Sequence, residues 1–253
     1  MLAVNVPLFT RDMYHDEPFN EDSYKEDVLG RLRKYFGKSV MEAARELGVS
    51  SIGKQCVYDV ASRIMGRDKV QCKRAGIYAK IHVVYPLSPG MRQHISLPSF
   101  RFNKIKDRDW WHSDLRHLLM DYEWLFIVFE NNDENPKRRL DEHIILKDAF
   151  FWKMPPEDLE EVCRVYELTR EIIKNGIEIK KVMRLDGKIV KKNNLPCITD
   201  SKVCHVRPHG DPKNPEWLPN GESINQQSFW LNTDYVKGVI ESRGTQPRLF
   251  VGY

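Results

Sequence analysis

Tyr122-Glu-Trp-Leu-Phe-Ile-Val-Phe129 is the most continuous apolar run in the chain. It shows neither the period of an amphipathic helix nor the alternation of a half-exposed strand, and it is too short to cross a membrane. A run of this kind belongs in the middle of a sheet, with both faces covered. Reading backward from it, Trp110 to Met120 predicts a helix, and two alternating, β-branched segments, Ala75 to Tyr85 and His94 to Phe102, flank the turn residues Pro86 and Pro89-Gly90. These two segments are expected to pair as a hairpin. Farther upstream, Cys56, Val57, Val60, Ala61, Ile64 and Met65 recur at helical spacing between Gly53 and Gly66, and Ser23 to Leu47 reads as two helices broken near Gly37. Residues 1–20 are expected to be a flexible acidic arm, and residues 21–253 a single domain.

Reading forward, the polar tract Asn131 to Arg139 precedes a strand around His143 to Phe151. Pro155-Pro156-Glu157-Asp158 then opens a helix that runs to Asn175-Gly176, with acids in its first turn and a glycine stop. Residues 177–195 predict a basic hairpin turning at Asp186-Gly187. A strand around Val203 to Arg207, a proline-rich loop from Gly210 to Asn225 and a helix from Thr233 to Glu241 follow. Strands and helices alternate without a repeat, which predicts a mixed α/β fold.

Composition excludes several classes. The 253 residues carry 40 Lys and Arg against 36 Asp and Glu, and five scattered cysteines form no disulfide framework, which suits a reducing cytosol. No stretch has the length of a membrane span, and the start lacks the features of a signal peptide. The net charge of +4 hides an uneven distribution. Residues 11–27 hold seven acids and two bases, residues 63–80 hold six bases and one acid, and residues 180–207 hold eight bases and two acids. Two basic blocks of this kind suit either one phosphate-facing surface or two ordinary solvated faces.

Three local patterns carry competing readings. Cys197, Cys204, His205 and His209 offer soft ligands, but not at the spacing of a paired zinc site. Met41 to Ser51, with Ala44 four residues before Gly48, has the outline of the first helix and turn of a helix-turn-helix. Glu178-Ile179-Lys180 follows Asp158 at roughly the spacing of a metal-dependent nuclease motif. That chemistry requires carboxylates on adjoining strands, whereas Asp158 begins a helix.

The last sixty residues are more specific. His205-Val-Arg-Pro-His209 and Gln227-Ser-Phe-Trp-Leu-Asn232, supported by Phe151-Trp-Lys-Met-Pro-Pro-Glu-Asp158 and Trp124-Leu-Phe-Ile-Val128, resemble the MutH family of mismatch-repair nicking enzymes and the related type II restriction endonucleases that cut GATC. The chain looks most like the C-terminal half of the two-domain enzymes, over roughly residues 20–243. The resemblance implies a restriction-endonuclease-like fold, with a central mixed sheet flanked by helices.

The same resemblance locates the family's catalytic positions. The family has an aspartate, then a Glu-x-Lys seven residues later on a strand opened by a Gly-aliphatic pair, and a glutamate on the preceding helix. Here the strand is Gly76-Ile-Tyr-Ala-Lys80. Lys80 is retained, but Tyr78, Gln71 and Ser62 stand at the three acidic positions. Magnesium normally requires one or two carboxylates, so no metal or other cofactor is expected in this domain; magnesium is expected only in a catalytic partner domain. Asp68 offers a displaced acid, which leaves an active nuclease as an alternative.

What the resemblance retains is the binding apparatus. Arg207 and His209 fall where the family's Arg-Pro-Lys segment approaches DNA, and Trp230 falls where an aromatic reads the methylated base position. Gln226, Gln227, Ser228 and Asn232 carry donors and acceptors suited to base edges, and Lys73, Arg74 and Lys80 form a cationic cluster. Double-stranded DNA of the GATC class and a catalytic MutH-like domain, in the same or another chain, are the implied partners. A bacterial cytoplasmic location on the nucleoid follows. The helix-turn-helix regulator and a pure protein-interaction module remain rivals from other classes.

Overall fold

The computed structural model describes residues 20–66, 72, 74–87, 93–135, 141–183, 185–187, 189–210 and 213–243. The acidic arm through residue 19, together with Asp68, Gln71 and Lys73, lies outside the described residues. The chain divides into two compact units. One comprises the described residues up to 93 together with 117–154, and the other comprises 94–116 together with those from 155 onward.

In the first unit, α1 (Glu21–Arg33) starts on Asn20, whose side chain accepts from the Ser23 amide at 3.0 Å. Helix α2 (Val40–Leu47) is held by a capping box. Ser39 accepts from the Glu42 amide, and the Glu42 carboxylate accepts from the Ser39 amide at 2.8 Å. It ends at Gly48, whose φ of 64° is a left-handed conformation that favours glycine. Helix α3 (Gly53–Ile64) buries Cys56, Val57, Val60, Ala61 and Ile64, as its apolar spacing requires.

Strands β1 (Ile77–Val84), β3 (Glu123–Asn131) and β4 (Ile144–Trp152) form a mixed sheet in the order β1-β3-β4. The apolar run is therefore the central strand, as its sequence predicts. Every residue from Trp124 to Phe129 is almost completely buried. Leu125, Ile127 and Phe129 belong to the core that includes residues of α1, α2 and α3. On the alternate positions, Trp124 meets Tyr78 at 4.8 Å between ring centres, and Phe126 stacks on Phe150 at 5.3 Å.

The hairpin expected between the segments at 75–85 and 94–102 does not form. Strand β1 runs parallel to β3, while β2 (Ile95–Phe100) pairs antiparallel with β10 (Gln227–Leu231). A strand buried on both faces needs a partner on each edge, and β1 and β4 fill those edges of β3. The connection between β1 and β2 is also too long for a tight hairpin turn.

The second unit contains the antiparallel sheet β2-β10-β7, where β7 is Cys204–Pro208. The short helix α4 (Phe102–Asp107), which the sequence reading omits, follows β2 directly. The predicted helix at 110–120 is instead a 3₁₀ turn at Trp110–His112 followed by α5 (Asp114–Met120), interrupted at Ser113, whose hydroxyl donates to Trp110 O and accepts from the Arg116 amide. Helix α6 (Pro156–Asn175) takes Pro156 at its first position and ends at Gly176. Its buried Tyr166 stacks on Phe229 of β10 at 5.8 Å. The basic hairpin forms as β5 (Ile179–Met183) and β6 (Ile189–Asn193). The proline-rich loop is not wholly irregular, because β8 (Glu216–Trp217) and β9 (Ser223–Ile224) pair within it. Helix α7 (Thr233–Ser242) completes the unit.

The fold is thus mixed α/β, with a mixed central sheet flanked by helices, compatible with a restriction-endonuclease-like architecture. Among the described residues, no helix is long and apolar enough to cross a membrane.

Candidate nucleic-acid interface

Strand alternation sorts the conspicuous C-terminal residues onto two faces. In the antiparallel pair β7–β10, Ser228 lies opposite Arg207, Phe229 opposite Val206 and Trp230 opposite His205. Cys204, Val206, Phe229 and Leu231 are buried and form the face that carries the Tyr166 contact. His205, Arg207, Ser228 and Trp230 occupy the opposite face. Gln226 and His209 continue it beyond the strand ends, where the His209 amide donates to Gln226 O at 2.8 Å.

On that face the Arg207 guanidinium lies 4.8 Å from the Trp230 ring centre. The His209 ring meets the same indole edge-on, at 5.0 Å and 89°. Arg207 is exposed, and Trp230 and His209 are half-buried. A guanidinium laid on an indole keeps its planar fork of donors available while its orientation is restricted, which suits a phosphate or a guanine edge. The Trp230 Nε1 donor is buried without a hydrogen-bond partner among the described residues. Gly210 closes the edge of the patch. A Cβ there would fall 2.9 Å from Gln226 Cβ, so a side chain at 210 would displace Gln226.

A buried network fixes the strand ends. The Asn232 amide nitrogen donates to Ser201 O at 2.7 Å, which turns its oxygen toward His205 Nδ1 at 2.5 Å. His205 therefore donates from Nδ1, and burial lowers its pKa despite that bond. The His205 ring meets His94 edge-on at 4.9 Å, and His94 Nδ1 accepts from the Thr233 amide at the start of α7. Asn232 thus serves the scaffold with both ends of its amide. Gln227 is buried on the inner face, with its amide nitrogen donating to Asn225 O at 2.6 Å and its oxygen without a partner among the described residues. Ser228 lies on the outer face but is covered. Of the residues singled out from sequence, Arg207, His209, Gln226 and Trp230 are those on the outer face that retain exposure. His94 was not anticipated, and its isolated position in the chain gives no sign of its contact with His205.

The remaining predicted positions belong to the first unit. Tyr78 and Lys80 are alternate residues on one face of β1, the face on which Tyr78 meets Trp124, Arg74 precedes that strand and Ser62 is in α3. Burial pushes the Tyr78 phenol up to about 12, so it stays neutral, and it rests against Trp124. Burial, with Lys54 nearby, brings Lys80 down to about 8, and burial with Lys80 nearby brings His82 down to about 4. Tyr78 and Ser62 supply no carboxylate and Lys80 supplies positive charge, so these donors do not fit a hard divalent cation. Among the described residues, no group of three His, Cys, Asp or Glu side chains is placed to hold a metal.

The competing patterns also find places. Asp158 accepts from the Tyr235 hydroxyl at 2.8 Å at the start of α6. Glu178 lies beyond the far end of that 20-residue helix, roughly 30 Å of helix away, and pairs with its own neighbour Lys180 at 3.6 Å. Cys197 contacts Thr199 and Cys204 is buried, with burial raising its thiol pKa to about 12. Helices α2 and α3 do form a helix–turn–helix pair. Asp141 Oδ2, however, accepts from the Gly53 amide at 3.0 Å, placing an acid at the α3 N-terminus where a recognition helix would meet DNA.

No protein-family model matches the chain. The chain is similar to the type II restriction enzyme Sau3AI of Staphylococcus aureus. The two are 24% identical over 268 aligned residues, covering 89% of this chain and 53% of that enzyme. The chain therefore spans about half the length of that relative. The similarity supports a relationship to restriction endonucleases across nearly the whole sequence.

Proposed function

We propose that residues 21–253 form a sequence-specific double-stranded DNA-binding unit that serves as the effector, or recognition, part of a type II restriction endonuclease. The observation that carries this reading is the Arg207–Trp230–His209 cluster on the outer face of the β7–β10 pair. Its segments are those that resemble the DNA-approaching parts of MutH-like enzymes, and the similarity to Sau3AI supports the class of partner. In this reading Arg207, His209, Gln226 and Trp230 meet the DNA directly. Gln227, Ser228 and Asn232 shape the strand ends beneath them, and Lys73, Arg74 and Lys80 add positive potential.

The unit has lost its own metal-dependent cleavage, because Ser62, Gln71 and Tyr78 stand where carboxylates would hold magnesium. Cleavage belongs to a catalytic MutH-like domain in the same or another chain, in the cytoplasm on nucleoid DNA. Occupancy of this unit would activate that domain by differential affinity for its two states. The displaced-acid nuclease and the helix-turn-helix regulator are the rivals, and the acid at the α3 N-terminus weighs against the latter.

Titration against a GATC duplex and a scrambled duplex at matched salt tests the binding reading. Preference for the GATC duplex is expected, and equal affinity for both would overturn sequence recognition. Incubation of the chain with plasmid and magnesium tests the cleavage reading. Cutting that disappears in Asp68→Ala would establish the displaced-acid nuclease instead.

A further inference from the structure

The hairpin β5–β6 is a two-stranded ribbon that pairs with no further strand among the described residues. Its register sets Lys180 directly opposite Lys192 and Lys181 directly opposite Lys191. Like charges placed opposite one another destabilise an antiparallel pair, and an isolated two-stranded ribbon is marginal to begin with. The turn end is also apolar and open to solvent. Met183 and Ile189 are cross-strand partners, exposed by 70% and 64%, and Leu185 beside them is fully exposed. Scattered exposed apolar residues need no explanation, but three gathered at the end of a charged arm do. The neighbouring acids are Asp186, exposed in the turn itself, Glu178, also exposed, and the half-buried Glu222. Glu178 pairs with Lys180, and Glu222 pairs with Lys191 at 3.0 Å. Exposed pairs of this kind are weak enough for a phosphate to replace them.

Building on the DNA-binding reading above, we infer that the β5–β6 ribbon is a second DNA-contacting element that enters the major groove, with its lysines on the flanking phosphates and Met183, Leu185 and Ile189 at its leading end. The dimensions agree. Strands about 4.8 Å apart, with side chains, fill a groove about 12 Å wide, which admits a two-stranded ribbon. A polyanion relieves the lysine–lysine repulsion, and base edges, including thymine methyl groups, give the apolar end a partner. A purely apolar protein partner would satisfy the tip but leave the opposed lysines unexplained.

The test measures dissociation constants for the full chain on a GATC duplex and a scrambled duplex over a range of salt, with circular dichroism confirming that each variant is folded. The double variant Lys181→Gln with Lys192→Gln is expected to reduce the slope of log Kd against log salt by about two on both duplexes. The double variant Met183→Ser with Leu185→Ser is expected to weaken binding about tenfold. An unchanged slope in the lysine variant overturns the inference. Wild-type affinity in the tip variant also overturns it, assigning the apolar end to a protein partner. Arg207→Ala serves as the separate control. If wild type discriminates between the duplexes and Arg207→Ala abolishes that difference while the ribbon variants change nothing, only the ribbon inference fails. If wild type binds both duplexes equally while the lysine variant still lowers the slope, sequence recognition fails and the ribbon inference stands.

Discussion

Arg207 reaches diagonally across the β7–β10 pair to lie over the ring of Trp230, 4.8 Å from its centre, instead of facing Ser228 directly opposite. The contact holds an exposed guanidinium in one orientation, with no carboxylate among the described residues paired to it. An Arg–carboxylate pair would have consumed the donor fork that a phosphate or base edge requires.

This arrangement separates charge from geometry. Arg207→Lys keeps the charge but loses the planar fork and much of the stacking, so it should lose about tenfold or more of the affinity for the specific duplex, approaching Arg207→Ala. Trp230→Phe should fall between these and wild type. Fluorescence anisotropy on labelled duplexes provides the measurement. Wild-type affinity in Arg207→Lys would show that the site reads charge alone.

The Ser39–Glu42 capping box predicts a change in stability without a change in binding. Ser39→Ala should destabilise the fold by about 1 kcal/mol, measured by urea unfolding, with DNA affinity unaltered. Its hydrogen bonds to Ser39 hold the Glu42 carboxyl below its ordinary value. The folded-state pKa is depressed, so the stabilisation is present above the unfolded value near 4.5 and disappears as pH falls through the lower folded value. Wild type and Glu42→Gln should therefore converge in stability in acid and diverge at neutral pH.

At Lys80 the charged form is the one that burial penalises, and stability again rises with pH. Burial brings its pKa down to about 8 from an unfolded value near 10.5. The unfolded chain binds more protons between those values, so this residue makes stability rise with pH from about 8 to 10.5. Lys80→Met should remove that rise and stabilise the protein at pH 7 in thermal unfolding. If Lys80 also faces phosphate, the variant should show a shallower salt dependence of DNA binding.

Magnesium should not raise the melting temperature of the wild-type chain through the β1 positions, since Tyr78 is a neutral phenol there and Ser62 and Gln71 carry no charge. Ser62→Glu with Gln71→Asp and Tyr78→Glu places three carboxylates at the positions the MutH resemblance marks as acidic. That triple variant should gain a magnesium-dependent stabilisation, read by differential scanning calorimetry. A comparable magnesium effect in wild type, removed by Asp68→Ala, would support the displaced-acid alternative.

The sequence by itself determined where most local elements lie and which residue types they carry. The unbroken run Trp124 to Phe129 could be satisfied only with both faces buried, and it became the central strand. Pro156 and Gly176 bound a helix because one lacks an amide donor and the other tolerates a positive φ, and both limits hold. That positions 78 and 62 hold Tyr78 and Ser62, neither of them an acid, is a matter of residue identity and needed no coordinates.

Pairing across the sheets was decided only by tertiary structure. Neighbouring strands 77–84 and 95–100 looked like a hairpin, yet each found its partner far along the chain, because an apolar strand face is satisfied by whichever complementary face the fold supplies. The same pairing sorted Gln226-Gln227-Ser228 into alternate faces, buried Gln227 and committed Asn232 to His205. It also set four lysines opposite one another on a free ribbon. Residue type gives a side chain its capacity to bind, but strand register decides which of them face outward.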